Sequence, residues 1–119
     1  MNDFANMYHV GIRVPDIDAA MVDIGSAMGV TWASMQDREM TVWLPADGDT
    51  PAGLVTIPLR FTYSCEGPVH LELVQGPPGS VWDGNDFPGP HHFGVWSDDV
   101  GAQTADLISR RPTRPYPLG

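Results

Sequence analysis

The sequence predicts an α+β fold, and three observations predict it. First, a strand-then-helix stretch occurs twice. Tyr8-His9-Val10-Gly11-Ile12-Arg13-Val14-Pro15-Asp16-Ile17 aligns without a gap on His91-His92-Phe93-Gly94-Val95-Trp96-Ser97-Asp98-Asp99-Val100. His9 falls on His92, Gly11 on Gly94 and Asp16 on Asp99, an offset of 83 residues (92 minus 9) that is too long for a solenoid and suits a half-domain. Second, alternating strand patterns fill most of the chain between the copies. Third, 13 Gly and 12 Pro in 119 residues leave ample room for loops and little for helix, within the length of one domain.

Residues 1–6 are a short polar lead-in. Over 8–14, Val10, Ile12 and Val14 take one face of a strand while His9, Gly11 and Arg13 take the other. Pro15 ends it. Asp16 is a suitable N-cap, Asp18 suits the first turn, and Ile17, Ala20, Met21, Ile24 and Met28 recur at helical spacing before Gly29. This predicts a helix over 17–28 packed on the aliphatic face of the strand. Residues 30–35 and 40–44 read as two strands around a polar turn at 36–39, and 45–53 as a loop. Residues 54–64 read as a strand in which Pro58 marks an edge or a bulge.

Glu66-Gly67-Pro68 is a turn, and 69–75 is the next strand, with Val69, Leu71 and Leu73 on one face and His70, Glu72 and Val74 on the other. Residues 76–90 hold four Gly and four Pro around Trp82 and Phe87; a connection of this length is expected as a binding element or lid, or as a segment pinned by its aromatics. In the second copy, Phe93 and Val95 should face a helix while His92, Gly94 and Trp96 face away from it. That helix is expected over 100–110 with Val100, Thr104, Leu107 and Ile108 on its inner stripe, and the Arg- and Pro-rich run 111–119 as an irregular tail.

The net charge of −9 argues against nucleic acid or an anionic membrane as partner, and no apolar run reaches the length of a membrane span. The first residues include Asp3 and lack a basic-then-apolar run, so no secretory leader is expected. Cys65 is the single cysteine, which excludes an intrachain disulfide and fits a reducing, cytoplasmic compartment.

Three chemistry-bearing residues share one property. His9, Glu72 and His92 each lie on a strand and face away from its aliphatic side. On a twisted sheet such residues converge on the concave face. Two imidazoles and a carboxylate suit a divalent ion of the Zn, Ni, Co, Mn or Fe class, with positions left for water or substrate oxygens. His70 shares the face of Glu72 and is a candidate supporting or acid/base residue. His91 has the opposite parity and is expected to be exposed. Trp43, Trp82 and Trp96 are candidate pocket residues, with ordinary core packing as the alternative.

The strings His-Val-Gly-Ile-Arg-Val-Pro-Asp-Ile-Asp-Ala-Ala-Met, His-Leu-Glu-Leu-Val-Gln and His-His-Phe-Gly-Val-Trp-Ser-Asp-Asp-Val resemble the vicinal oxygen chelate superfamily: glyoxalase I, methylmalonyl-CoA epimerase, extradiol dioxygenases and the bleomycin-resistance proteins. The resemblance covers residues 8–110 and is nearest to the glyoxalase-like branch that contains the epimerase. It implies paired βαβββ modules whose sheets curl around a metal, helices outside. It implies a first module at 1–75, a linker at 76–90, the start of a second module at 91–110, and His9, Glu72 and His92 as metal ligands. A fourth ligand would fall as far beyond His92 as Glu72 falls beyond His9, past Gly119. The second module therefore reads as incomplete, through truncation after about Ser109 or completion by another chain, and a homodimer is expected. The implied function is that of a metal-dependent lyase or isomerase acting on a small carbonyl or thioester compound through chelated oxygens, with Glu72 moving a proton beside the carbonyl. The alternatives are a non-catalytic drug-binding protein of the bleomycin-resistance type, or an incomplete inactive fragment.

Overall fold

The computed structural model describes residues 4–110. After a short 3-10 turn at Phe4–Asn6 come β1 (Met7–Arg13), α1 (Ile17–Met28), β2 (Gln36–Leu44), β3 (Gly53–Tyr63), β4 (His70–Gln75), β5 (Gly89–Val95) and α2 (Val100–Arg110). The strands form one mixed, curled sheet in the order β2-β3-β4-β1-β5. β1 runs parallel to β4 and antiparallel to β5, and β2, β3 and β4 pair antiparallel in succession. The α+β architecture is as expected, and the first five regular elements after the 3-10 turn run β, α, β, β, β. The tail expected over 111–119 lies outside the described residues.

Cross-strand partners share a face of a sheet, so the register sorts the side chains into two layers. On one face Ile12 and Leu73 are partners, and Val14 and Leu73 form a core with Ile17 of α1, flanked by Ala20, Met21, Ile24 and Trp32. Ile17 and Leu73 are fully buried. α1 is seated there by its termini. The Asp16 carboxylate accepts from the Ala19 amide at 3.1 Å, and the Gln75 side chain accepts from the Ile17 amide at 2.8 Å, so two of the helix's open N–H groups are satisfied. At the other end Gly29 adopts φ 69°, the left-handed geometry that suits glycine, and its amide returns to the Gly25 carbonyl.

The opposite, concave face carries a second core of Ile57, Leu59 and Val74, against which Val42, Phe61 and Trp82 pack. Trp82 ties the connection between β4 and β5 down onto this face, and its carbonyl accepts from Gly76 at 3.1 Å. Asp83 fastens the same loop, accepting from the amides of Gly79 and Asn85 at 3.0 and 2.9 Å. Phe87 stays largely exposed, with the Arg13 guanidinium 5.7 Å from its ring centre.

Three local expectations are corrected. The polar turn at 36–39 is strand: β2 begins at Gln36 and pairs with β3 along its whole length, with Asp37 opposite Arg60 in a 2.9 Å ion pair. An edge strand exposed on both faces at Asp37, Arg38 and Glu39 tolerates this charged run, which reads as a turn only if burial is assumed. The strand at 30–35 reduces to one bridge between Trp32 and Ser64. The inner stripe expected on α2 is not inner: Val100, Leu107 and Ile108 are 70%, 58% and 55% exposed, and α2 buries no residue. Pro58 sits in the stretch of β3 before its pairing with β4 begins at Arg60, where β3 has only β2 beside it.

Candidate metal centre

β1 lies between β4 and β5, and Gly11 is the register partner of both Glu72 and His92. The side chains of His9, Glu72 and His92 gather over this bare position. The paired glycines of the repeat have a direct physical reason. In the antiparallel β1–β5 ladder His9 stands opposite Gly94, and His92 opposite Gly11. A Cβ on Gly11 would collide with the His92 ring, and one on Gly94 with the His9 ring. Each histidine thus lies across the glycine of the other strand.

The three donor atoms nearly touch. His92 Nε2 is 3.1 Å from His9 Nε2 and 3.0 Å from Glu72 Oε1, and His9 Nε2 is 3.6 Å from Glu72 Oε1. Ligands roughly 2.1 Å from a common ion stand about 3.0 Å apart at right angles and about 3.4 Å apart at tetrahedral angles. The observed separations span that range, and the donor set of two imidazoles and a carboxylate fits a divalent transition metal. His9 and Glu72 are buried, while His92 keeps an exposed side from which a small molecule could approach.

The electrostatics suit the same use. Burial lowers the His9 pKa; Glu72 opposes this, and the neighbouring His92 and His70 add to the lowering, so the ring is held neutral with a lone pair to offer. Burial alone would raise the Glu72 pKa, but hydrogen bonds from His92 and Tyr63 and the nearby imidazoles outweigh it and keep the carboxylate ionised. His9 Nδ1 is buried without a hydrogen-bond partner.

Of the other residues expected in the site, His70 shares the concave face but is turned aside. Its Nδ1 lies 2.6 Å from the Ser64 carbonyl, which ties it to the turn before β4. Trp96 is 69% exposed and stacks on Tyr8 with ring centres 4.4 Å apart, and Tyr8 in turn meets the His9 ring edge-on at 4.6 Å. Trp82 lies on the concave face as packing for the second core rather than as a free flap. Trp43 is placed away from the centre. It pairs with Leu54 and shares its side of the β2–β3 ladder with Thr41 and Asp37, a parity opposite to that of Phe61 and Tyr63.

One residue near the centre was missed. Tyr63 faces Glu72 across the β3–β4 ladder, and burial together with the carboxylate beside it raises the pKa of its phenol. Its signal in the sequence was parity alone, blurred by Pro58. His91 is exposed as expected, yet its Nδ1 lies 3.0 Å from His92 Nδ1, on the side of the ring away from the cluster. The two adjacent histidines were visible; their side-to-side contact was not.

A family model described as the Glyoxalase/Bleomycin resistance protein/Dioxygenase superfamily matches residues 8–111. No curated protein matches the chain in sequence. Among solved structures, the chain is similar to a variant of Streptomyces coelicolor methylmalonyl-CoA epimerase in complex with 2-nitronate-propionyl-CoA. The TM-score is 0.53 at 19% identity, over 88% of this chain and 71% of that one. At that identity the likeness speaks to the fold.

Proposed function

The chain belongs to the glyoxalase/bleomycin resistance protein/dioxygenase superfamily, and from that premise we propose that it is a metal-dependent enzyme of the glyoxalase/epimerase kind, a lyase or isomerase acting on a small carbonyl or thioester compound. The observation that carries this reading is the convergence of His9 Nε2, His92 Nε2 and Glu72 Oε1 within 3.0–3.6 Å on the concave face. His9, Glu72 and His92 would hold the ion. A divalent ion bound there supplies a Lewis acid that stabilises negative charge on a substrate carbonyl oxygen.

The chain's own residues supply the rest. The neutral His9 ring and the ionised Glu72 present lone pairs without first losing protons. The aromatic pair Tyr8–Trp96 offers a flat wall beside His9 for the body of the substrate. Glu72 is the carboxylate nearest the centre and takes the role of moving a proton from the carbon beside the carbonyl. Charge −9 and the absence, among the described residues, of a helix long and apolar enough to cross a membrane direct attention to a small molecule as partner. We place the protein in the cytoplasm and propose a homodimer. β5 has no neighbour on its outer side among the described residues, and α2 presents Val100, Leu107 and Ile108 to solvent.

One observation favours a second reading, a non-catalytic binding module: the exposed Trp96–Tyr8 stack would also receive an aromatic ligand without metal chemistry. Exchange in heavy water separates the two. With methylmalonyl-CoA, the compound named in the structural relative's title, and Co²⁺ or Zn²⁺ added, the enzyme reading expects deuterium at the carbon between the carboxylate and the thioester, and none after chelation. Metal-independent binding with no exchange for any thioester or α-hydroxyketone tried would sink it.

A further inference from the structure

Resting on the metal-holding reading of the centre, we infer that Tyr63 is a positioning residue for Glu72: its hydroxyl anchors the carboxylate so that one oxygen stays turned toward His9 and His92. A glutamate reaches its ligand through three rotatable bonds and carries two equivalent oxygens, so something must choose its rotamer. His92 has an outer contact of this sort in His91. His9 has none at Nδ1 and is held by packing, with the Tyr63 ring meeting it edge-on at 5.4 Å. Tyr63 therefore touches two of the three candidate ligands.

Its own position is fixed from several sides. The β3–β4 register sets it directly opposite Glu72, and Phe61 meets its ring edge-on at 6.0 Å. A phenylalanine would preserve all the ring contacts. Only the inferred bond from the hydroxyl to Glu72 requires tyrosine. Outer hydrogen bonds of this type orient a ligand and tune its basicity.

The test is a Co²⁺ titration of the full chain followed by visible absorption, with Tyr63→Phe alongside. The expected result is affinity weakened about 10- to 100-fold with an altered absorption band, while the far-UV circular dichroism of the metal-free protein is unchanged. Replacing Tyr63 by 4-aminophenylalanine, which restores a donor on the same ring, should recover most of the affinity. If Tyr63→Phe fails to fold, 4-aminophenylalanine against 4-methylphenylalanine repeats the comparison at constant ring size. Equal Co²⁺ affinity and identical spectra with and without the donor would overturn the inference while leaving the metal reading intact. Failure of the unaltered chain to bind Co²⁺ would remove the metal reading, and this inference with it.

Discussion

Asp16 and Asp99 cap their helices with the same bond, accepting from the amides of Ala19 at 3.1 Å and Ala102 at 2.9 Å. Both helices follow a strand that carries a histidine two residues before a glycine. Beyond this the two copies part. α1 buries Ile17 completely against Val14 and Leu73, whereas α2 buries nothing. The difference lies outside the repeat. α1 rests on β4, which pairs parallel to β1 and brings Leu73 under the helix. Among the described residues β5 has no strand in the corresponding place. A short motif can specify a strand, a ligand and a cap; whether its helix finds a core depends on a strand encoded some sixty residues away.

Substitutions at matched positions sharpen this contrast. Leu73→Ala should be the most damaging, destabilising the fold by about 2–5 kcal/mol, while Leu107→Ala on the exposed stripe of α2 should stay within about 0.5 kcal/mol at dilutions that keep the chain monomeric, both read by urea unfolding. A cost at Leu107 that grows with protein concentration would put α2 in the interface of the proposed homodimer. Next come the glycines. Gly94→Ala pushes a methyl into the His9 ring and Gly11→Ala into the His92 ring. Each should cost about 1–3 kcal/mol and lower metal affinity together. An alanine tolerated at either position with affinity unchanged would break the pairing of each histidine with the opposite glycine.

The caps should separate the copies more gently. Asp16→Ala should cost about 1 kcal/mol of global stability. Asp99→Ala should reduce helicity by circular dichroism and leave the main unfolding transition in place, because α2 is not part of the packed core. The smallest effect is that of pH on the metal-free protein. His9 has a lowered pKa in the folded chain, so the unfolded chain binds more protons once the pH drops below about 6.5, and stability falls. Glu72, also lowered, stabilises above its unfolded value and loses that contribution as the pH passes down through its folded value. Both act in one direction: stability should decline from neutral pH toward acid, and His9→Gln should flatten the upper part of that decline.

Much of the site was legible because it rests on parity. His9, Glu72 and His92 each alternate with aliphatic neighbours, and alternation survives any choice of register. α1 was legible from its caps and spacing. Trp43 was misassigned because parity assigns a face only once neighbouring strands are aligned, and the hairpin was expected to turn at 36–39 rather than beyond Leu44. Tyr63 was missed for the same reason: its place opposite Glu72 is a register fact. The wet stripe of α2 was unreadable because amphipathic spacing records which residues a helix can bury, not whether a partner is present to bury them.

The central claim is that three side chains from adjacent strands hold one divalent ion. Isothermal titration of the full chain with Zn²⁺ or Co²⁺, beside a His9→Ala/His92→Ala double variant, tests it most directly. The account predicts one ion per chain, with proton release small because His9 and Glu72 are already deprotonated at neutral pH, and binding lost in the double variant. Binding retained at the same affinity without the two histidines, or no binding by the unaltered chain, would contradict it.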